Sequence, residues 1–336
     1  MIIDEKLLLD IVWLYYIKRQ NVSNIAKKLE IHRSKVSKLL DIAREKGIVE
    51  FRINAPIEYE LSVKVREQFP SLKDAIIVNA PCPLSLSDEE NRQVRAQSLV
   101  GGGISVLKRI FSALECNSPI LAIGGGITIR EFTMGLKPEL LPLHLFKGLS
   151  IIPASMGKAG DFVDISPNTI VGLIKGKLGT KARAYALNVP CLLQNGDEKA
   201  HYMERADVKE IFAMMERANV VMAGVGDLQQ GSRMYESLKA AGADVEKLRE
   251  SGAVGDILDQ VFDIHGNADK FRAHNDRVLA LPLKKLKEMC NSKHQGMLCL
   301  AVGPQSKAKA IKGAINGGYI DSLVSDVETV KLLLEE

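Results

Sequence analysis

No apolar run in this 336-residue chain approaches the roughly 18 residues that a membrane-spanning helix needs. That excludes a helical membrane protein. Cysteine is scarce: Cys82, Cys116, Cys191, Cys290 and Cys299 are an odd, scattered set with no C-x-x-C pair. A disulfide framework is excluded by that pattern. "CNSKHQGMLC" sets His294 between Cys290 and Cys299, but three ligands at a helix-to-strand passage make a poor zinc site. Reduced, buried thiols are expected instead, with no metal and no cofactor. The opening "MIIDEKLLLDIVWLYYI" lacks the basic start and small-residue cleavage site of a signal peptide. It reads as an amphipathic helix of a cytoplasmic protein.

What is there begins with length and charge. A chain this long exceeds what one core usually serves, so two domains are expected. At 46% apolar and 26% charged residues it lies far from the disordered class. Residues 1–55 hold 11 Lys and Arg against 7 Asp and Glu, whereas the other 281 residues hold 34 of each. The whole net charge of +4 therefore sits in the first sixth of the chain. A basic head on a neutral body points to an anionic partner for the head, such as nucleic acid.

"NIAKKLEIHRSKVSKLL", residues 24–40, carries five Lys and Arg against one acid. The spacing predicts one helix capped by Asn21 and ending near Leu29, and a second from Arg33 to Lys46, stopped at Gly47. The short link between them is the layout of a helix-turn-helix. Ile25, Leu29, Ile31, Val36, Leu39 and Leu40 form the inner faces, and Ala26 is small where the helices cross. Glu30 stands in the turn, where a glycine with positive φ is usual, and is expected to carry strain of about 1 kcal/mol or a variant geometry. Arg33, Ser34, Lys35, Ser37 and Lys38 face outward at the N-terminal half of the second helix, the end that enters the major groove in this motif. "IVEFRI" then alternates as a short strand, a wing that places Arg52 against phosphate. The expected domain is 1–55, a small winged helix-turn-helix binding double-stranded DNA.

Beyond Pro56 short apolar runs recur: "DAIIVNA", "PILAIGGG", "LSIIPAS", "ARAYALNV", "VVMAGVG", "DRVLALPL", "MLCLAVGP" and "IDSLVSD". Amphipathic stretches separate most of them, among them 88–115, 201–217, 232–249 and 305–316. Strands alternating with helices predict an α/β domain over 56–336 with a mainly parallel sheet, binding ligand at the carboxyl ends of its strands. "ILAIGGGITIREF" runs from a strand through Gly124, Gly125 and Gly126 to Thr128 and a helix, which suits a phosphate or an ordinary turn. It is neither the dinucleotide fingerprint nor a P-loop. Gly224 and Gly226 end another strand. Asp256, in "GAVGDILDQVFDIHG", either grips sugar hydroxyls or caps a following helix. Lys307 opens a helix after "AVGPQS" and either meets a phosphate or lies on the surface.

Taken in order, these residues resemble the SorC (sorbitol operon regulator) type of bacterial transcriptional regulators, grouped with the deoxyribonucleoside and central glycolytic gene regulators. The likeness runs over nearly the whole chain. The head carries it through Ile25, Ala26, Leu29, Ile31, Arg33, Val36, Ser37, Leu39, Leu40, Ala43, Gly47, Ile48, Val49 and Ile53. The body carries it in "GGGIT", "AGVGD", "GAVGDILDQVFDIHG", "RVLALPL" and "KAKAIKGAINGGYIDSLVSD". The resemblance implies a one-component repressor or activator, not an enzyme, with a body related to sugar-phosphate isomerases that binds a phosphorylated sugar as effector. It implies a phosphate against Gly124, Gly126, Thr128 and Lys307, and a sugar near Asp256, with Gly224 and Gly226 as floor and Asp326 closing one side. It implies homodimers or homotetramers on paired operator sites. The chain departs from the family at His32, at Lys38, at Gly303-Pro304 and in "PASMGKAGD", where Lys158 stands in place of paired glycines. An isomerase-like enzyme with a DNA-binding head, or a regulator without a sugar response, are the alternatives.

Overall fold

Along the central strands the side chains split between two cores. Leu121 and Ile123 enter one core and Ala122 the other; Val220 and Met222 part from Val221 and Ala223 in the same way, as do Leu298 and Leu300 from Met297, Cys299 and Ala301. Period-two alternation with both faces apolar means a sheet covered on both sides. The computed structural model describes residues 4–49, 55–81, 85–114, 118–136, 148–158, 160–179 and 182–335, and divides into two compact units, Met1–Asn54 and Ala55–Glu336.

The larger unit holds β1 (Asp74–Val78), β2 (Ile120–Ile123), β3 (Leu149–Pro153), β4 (Ala182–Ala184), β5 (Val220–Ala223), β6 (Gly226–Asp227), β7 (Ala253–Ile257), β8 (Gln260–Asp263), β9 (Gly296–Ala301) and β10 (Ser322–Asp326). Seven of them form a sheet in the order β1-β10-β9-β5-β2-β3-β4, every pair parallel. β6, β7 and β8 make a separate antiparallel sheet. The chain lays down β2, β3 and β4 in one direction, then returns to place β5 on the other side of β2. That reversal opens a crevice at the carboxyl ends of β2 and β5.

Two readings of the sequence need correction. "DRVLALPL" is buried but is not a strand of the sheet: Val278 bridges Leu192 and Ala280 bridges Ser155, each as an isolated antiparallel bridge. An apolar run marks burial, and here its backbone partners are two separate loops. Three of the long amphipathic stretches are also broken in two: Asp88–Ser98 and Val100–Ser112, Gly196–Glu204 and Ala206–Glu216, Arg233–Ala240 and Val245–Glu250. Gln305–Asn316 is continuous.

In the smaller unit, Asp4 caps the helix Glu5–Val12, which continues as a π-turn over Trp13–Ile17. Asn21 caps Val22–Lys28 through the N–H of Asn24 at 2.8 Å. Arg33–Glu45 follows after a short turn, in which Glu30 has φ 52°. A glutamate thus occupies the left-handed conformation that glycine adopts at less cost. Gly47, with φ 66°, ends the last helix, and the N–H of Ile48 returns to the carbonyl of Ala43 at 2.8 Å. Ile25, Ala26, Val36, Leu39, Leu40 and Ala43 pack with Leu8, Ile11 and Leu14 into this unit's own core. Of the expected wing strand, 48–53, only Ile48 and Val49 are described; the rest, with Arg52, lies outside the described residues.

Candidate functional site

Three neighbouring strands deliver their carboxyl ends to one place. β2 runs through Gly124, Gly125 and Gly126 into the helix Ile127–Gly135. β5 leads through Gly224 and Val225 to β6, and β9 leads through Gly303-Pro304 to Gln305–Asn316. Between them lies a cavity of about 310 Å³. Gly125, Gly126, Thr128, Gly224, Gly226, Asp256 and Lys307 line it. The crevice predicted from strand order is therefore where these seven residues meet.

Each has a local cause. Gly126 is the N-cap of its helix with φ 110°, and no side chain caps that helix, so its first N–H groups are left for a ligand. Thr128 adds a hydroxyl in the first turn. Gly226 is required by close approach, since a Cβ there would fall 1.9 Å from Oδ1 of Asp256. Lys307 is not a surface residue: its Nζ donates to the carbonyl of Val225 at 2.6 Å and lies 3.2 Å from Oδ2 of Asp227. Burial would raise the Asp227 carboxyl, but Lys307 together with hydrogen bonds from Gln229 and Ser306 holds the group below its usual range.

Asp256 caps no helix. It sits on β7 of the β7–β8 hairpin, fully buried, and its Oδ2 accepts the N–H of Asp259 at 2.9 Å. Its Oδ1 has no hydrogen-bond partner. Burial, then the nearby Asp259 charge, push the Asp256 carboxyl up to about 7. Asp259 goes the other way: burial opposes ionisation, but the Lys158 ammonium holds it low. The Lys158–Asp259 ion pair is buried on both sides, with each side chain 5% exposed. Lys158 also donates to Oγ of Ser237 at 3.2 Å, and the thiol of Cys191 donates to Oδ2 of Asp259 at 3.2 Å.

Gly124 and Asp326 stand apart from the cavity lining. A Cβ on Gly124 would lie 2.6 Å from that of Ala223, so this glycine serves the close packing of β2 on β5. Asp326 ends β10, where Arg95 binds both its oxygens and the N–H of Thr329 reaches Oδ1 at 3.0 Å. Five charged lining residues escaped the sequence reading: Glu89, Arg92, Asp227, Arg233 and Asp259. Asp227 directly follows Gly226 at a strand end and could have been read from that position. Arg92, exposed and without an ion pair among the described residues, lies mid-helix with no local signal. Arg233 pairs with Asp164 at 3.0 Å beside the ring of Phe162.

On the smaller unit Arg33, Ser34, Lys35, Ser37 and Lys38 are all exposed, on the side of the helix opposite Val36, Leu39 and Leu40. His32 caps this helix, its Nδ1 accepting the N–H of Ser34 at 3.3 Å and pairing with Oγ of Ser34 at 2.7 Å. Arg33, Lys35 and Lys38 make no ion pair among the described residues, so their charges face water.

Comparison with known proteins finds a sugar-binding domain family and relatives named as regulators. A family model described as "Putative sugar-binding domain" matches residues 56–335. The chain is 24% identical over 335 residues to the deoxyribonucleoside regulator of Bacillus subtilis (strain 168), covering 99% of this chain and 98% of that one. It is 27% identical over 338 residues to the transcriptional regulator LsrR of Escherichia coli (strain K12), covering 98% and 95%. Among solved structures, the full-length sorbitol operon regulator SorC from Klebsiella pneumoniae shares the fold with a TM-score of 0.65 at 24% identity, covering 98% of this chain and 99% of that one.

Proposed function

The chain belongs to the sugar-binding domain family typified by the SorC regulators, and from that premise we propose a DNA-binding transcriptional regulator whose operator affinity is set by a phosphorylated sugar. One observation carries the reading. An uncapped helix N-terminus at Gly126 and an unpaired carboxylate oxygen on Asp256 share a single cavity at the strand-order reversal. The first suits a phosphate, the second a sugar hydroxyl. In this reading the phosphate sits on the N–H groups and hydroxyl around Thr128. Lys307 contributes the N–H that Val225 and Asp227 leave over, and Arg92 approaches from the exposed side.

The domain at 1–55 is the DNA reader. Arg33, Lys35 and Lys38 meet phosphates and guanine edges in the major groove, Ser37 hydrogen-bonds to bases or backbone, and Ser34 is held by the His32 cap. Arg52 adds a phosphate contact. A homodimer or homotetramer supplies two such heads to paired half-sites. Effector then acts only through its differential affinity for the assembly's DNA-competent and DNA-incompetent states.

The test is fluorescence anisotropy on operator DNA from around the protein's own gene, at fixed salt, with a panel of free and phosphorylated sugars. One phosphorylated sugar is expected to change affinity about tenfold or more, a coupling of about 1.4 kcal/mol. Thr128→Ala is expected to abolish that response while leaving DNA binding intact. Operator binding that ignores every phosphorylated sugar overturns the effector half of the reading. Turnover of a bound sugar phosphate overturns the regulator reading as stated.

A further inference from the structure

The cavity floor holds a cluster that the phosphate cradle does not explain. Leu258 and Asp259, the tight turn between β7 and β8, have φ of 54° and 65°. Both lie in the left-handed region that hairpin turns of this kind normally fill with Asn and Gly. Strain held at a turn in a binding cavity invites a functional explanation. Asp259 uses its place there to bind Lys158, from a loop 101 residues earlier. Lys158 lines the cavity together with Asp256 and Asp259.

The hydrogen-bonding inventory of this floor is incomplete in two matching ways. An ammonium has three donors. Lys158 directs one to Asp259 and one to Ser237, which leaves one N–H. Asp256 directs Oδ2 to the backbone of Asp259, which leaves Oδ1 with no partner. Lys158 and Asp256 are near enough for each charge to stabilise the other's ionised form. One spare donor and one spare acceptor thus line the same cavity. Of the groups a sugar carries, the hydroxyl accepts from one and donates to the other at once.

We propose that Lys158 and Asp256 together hold one hydroxyl of the ligand, Lys158 donating to it and Asp256 accepting from it, with Asp259 as the positioning residue for Lys158. This makes Lys158 a selectivity residue, and it rests on reading the cavity as the sugar-phosphate site. A ligand lacking that hydroxyl leaves two buried polar groups unpaired, which is heavily penalised.

The experiment is titration calorimetry on the full chain, using ribose 5-phosphate, glucose 6-phosphate and the set of monodeoxy analogues of each. Lys158→Met alone strands the Asp259 charge, so the working variant is Lys158→Met/Asp259→Asn. It removes both charges of the buried pair together, and asparagine tolerates the left-handed turn. The wild type is expected to prefer one parent sugar phosphate over one monodeoxy analogue by about tenfold or more. In the double variant that ratio is expected to collapse towards one, with affinity for the deoxy analogue retained. If the double variant weakens parent and analogue by the same factor, Lys158 is only a strut and the proposal is overturned. It is equally overturned if the wild type binds the parent but discriminates against no deoxy position. If the wild type binds none of these sugar phosphates, the reading of the cavity itself fails and takes this proposal with it.

Discussion

The two units treat positive charge in opposite ways. In the smaller one, Arg33, Lys35 and Lys38 stand in water without acidic partners among the described residues. In the larger one, the Lys158 side chain is buried, that of Lys307 largely so, and each is matched to a carboxylate, Asp259 and Asp227. Exposed cations cost little to desolvate, act over a Debye length and weaken with salt. They suit a long polyanion that releases counterions on binding. Buried pairs cost more, act at hydrogen-bond range and respond to pH rather than salt. They suit a small ligand whose shape must be read. The same residue type is a field in one unit and a hydrogen-bond geometry in the other.

The strongest way to break this comparison is to remove one buried cation. Lys158→Met leaves the Asp259 charge buried and uncompensated, so urea denaturation is expected to show a loss of about 3–5 kcal/mol. Lys35→Met on the exposed helix is expected to leave stability unchanged within measurement. Equal losses at the two positions would erase the distinction. Next in size is the salt response. Each of Arg33→Ala, Lys35→Ala and Lys38→Ala that removes a phosphate contact is expected to lower the slope of log affinity against log salt by about 0.9. Sugar-phosphate binding by the same variants should keep its salt dependence.

The pH response sharpens the contrast from the other side. The Asp256 carboxyl is raised to about 7 in the folded chain, so between the unfolded carboxylate range near 4 and about 7 the folded state holds the extra proton. Stability from this group therefore falls as pH rises through that window and is flat above it. Asp256→Asn removes the penalty. It is expected to raise the melting temperature at pH 8 by on the order of a few degrees, with a smaller gain at pH 5. A gain independent of pH would mean that Asp256 titrates normally. The smallest expected effect is in the head: Glu30→Gly relieves the φ of 52° and should stabilise by up to about 1 kcal/mol, seen in thermal melts.

Much of this molecule was readable in one dimension because its causes are local. Asn21 and Gly47 act as caps where their residue types place them, and the carboxyl ends of the apolar runs carry Gly126, Thr128, Gly224 and Gly226 into one cavity. The family resemblance set Asp256 and Asp326 together beside the sugar, but Arg95 occupies the second and Oδ1 of the first has no partner. Gly124 was readable as a glycine but not as a packing one, because Ala223 on the neighbouring strand makes it so. "DRVLALPL" shows the same limit, since burial is written in composition and the backbone partner is not.

By itself, then, the sequence determined where the two capped head helices start and stop, that most of the apolar runs are strands, and that the net positive charge belongs to the head. Those follow from side-chain type, period and hydrogen bonds spanning a few residues. Tertiary structure alone decided that β5 returns beside β2, that three strand ends share one cavity, and that Lys158 meets Asp259 across 101 residues. Such pairings depend on the order in which strands are laid down and on which polar groups burial forces to find a partner. Neither is a property of any short stretch of chain.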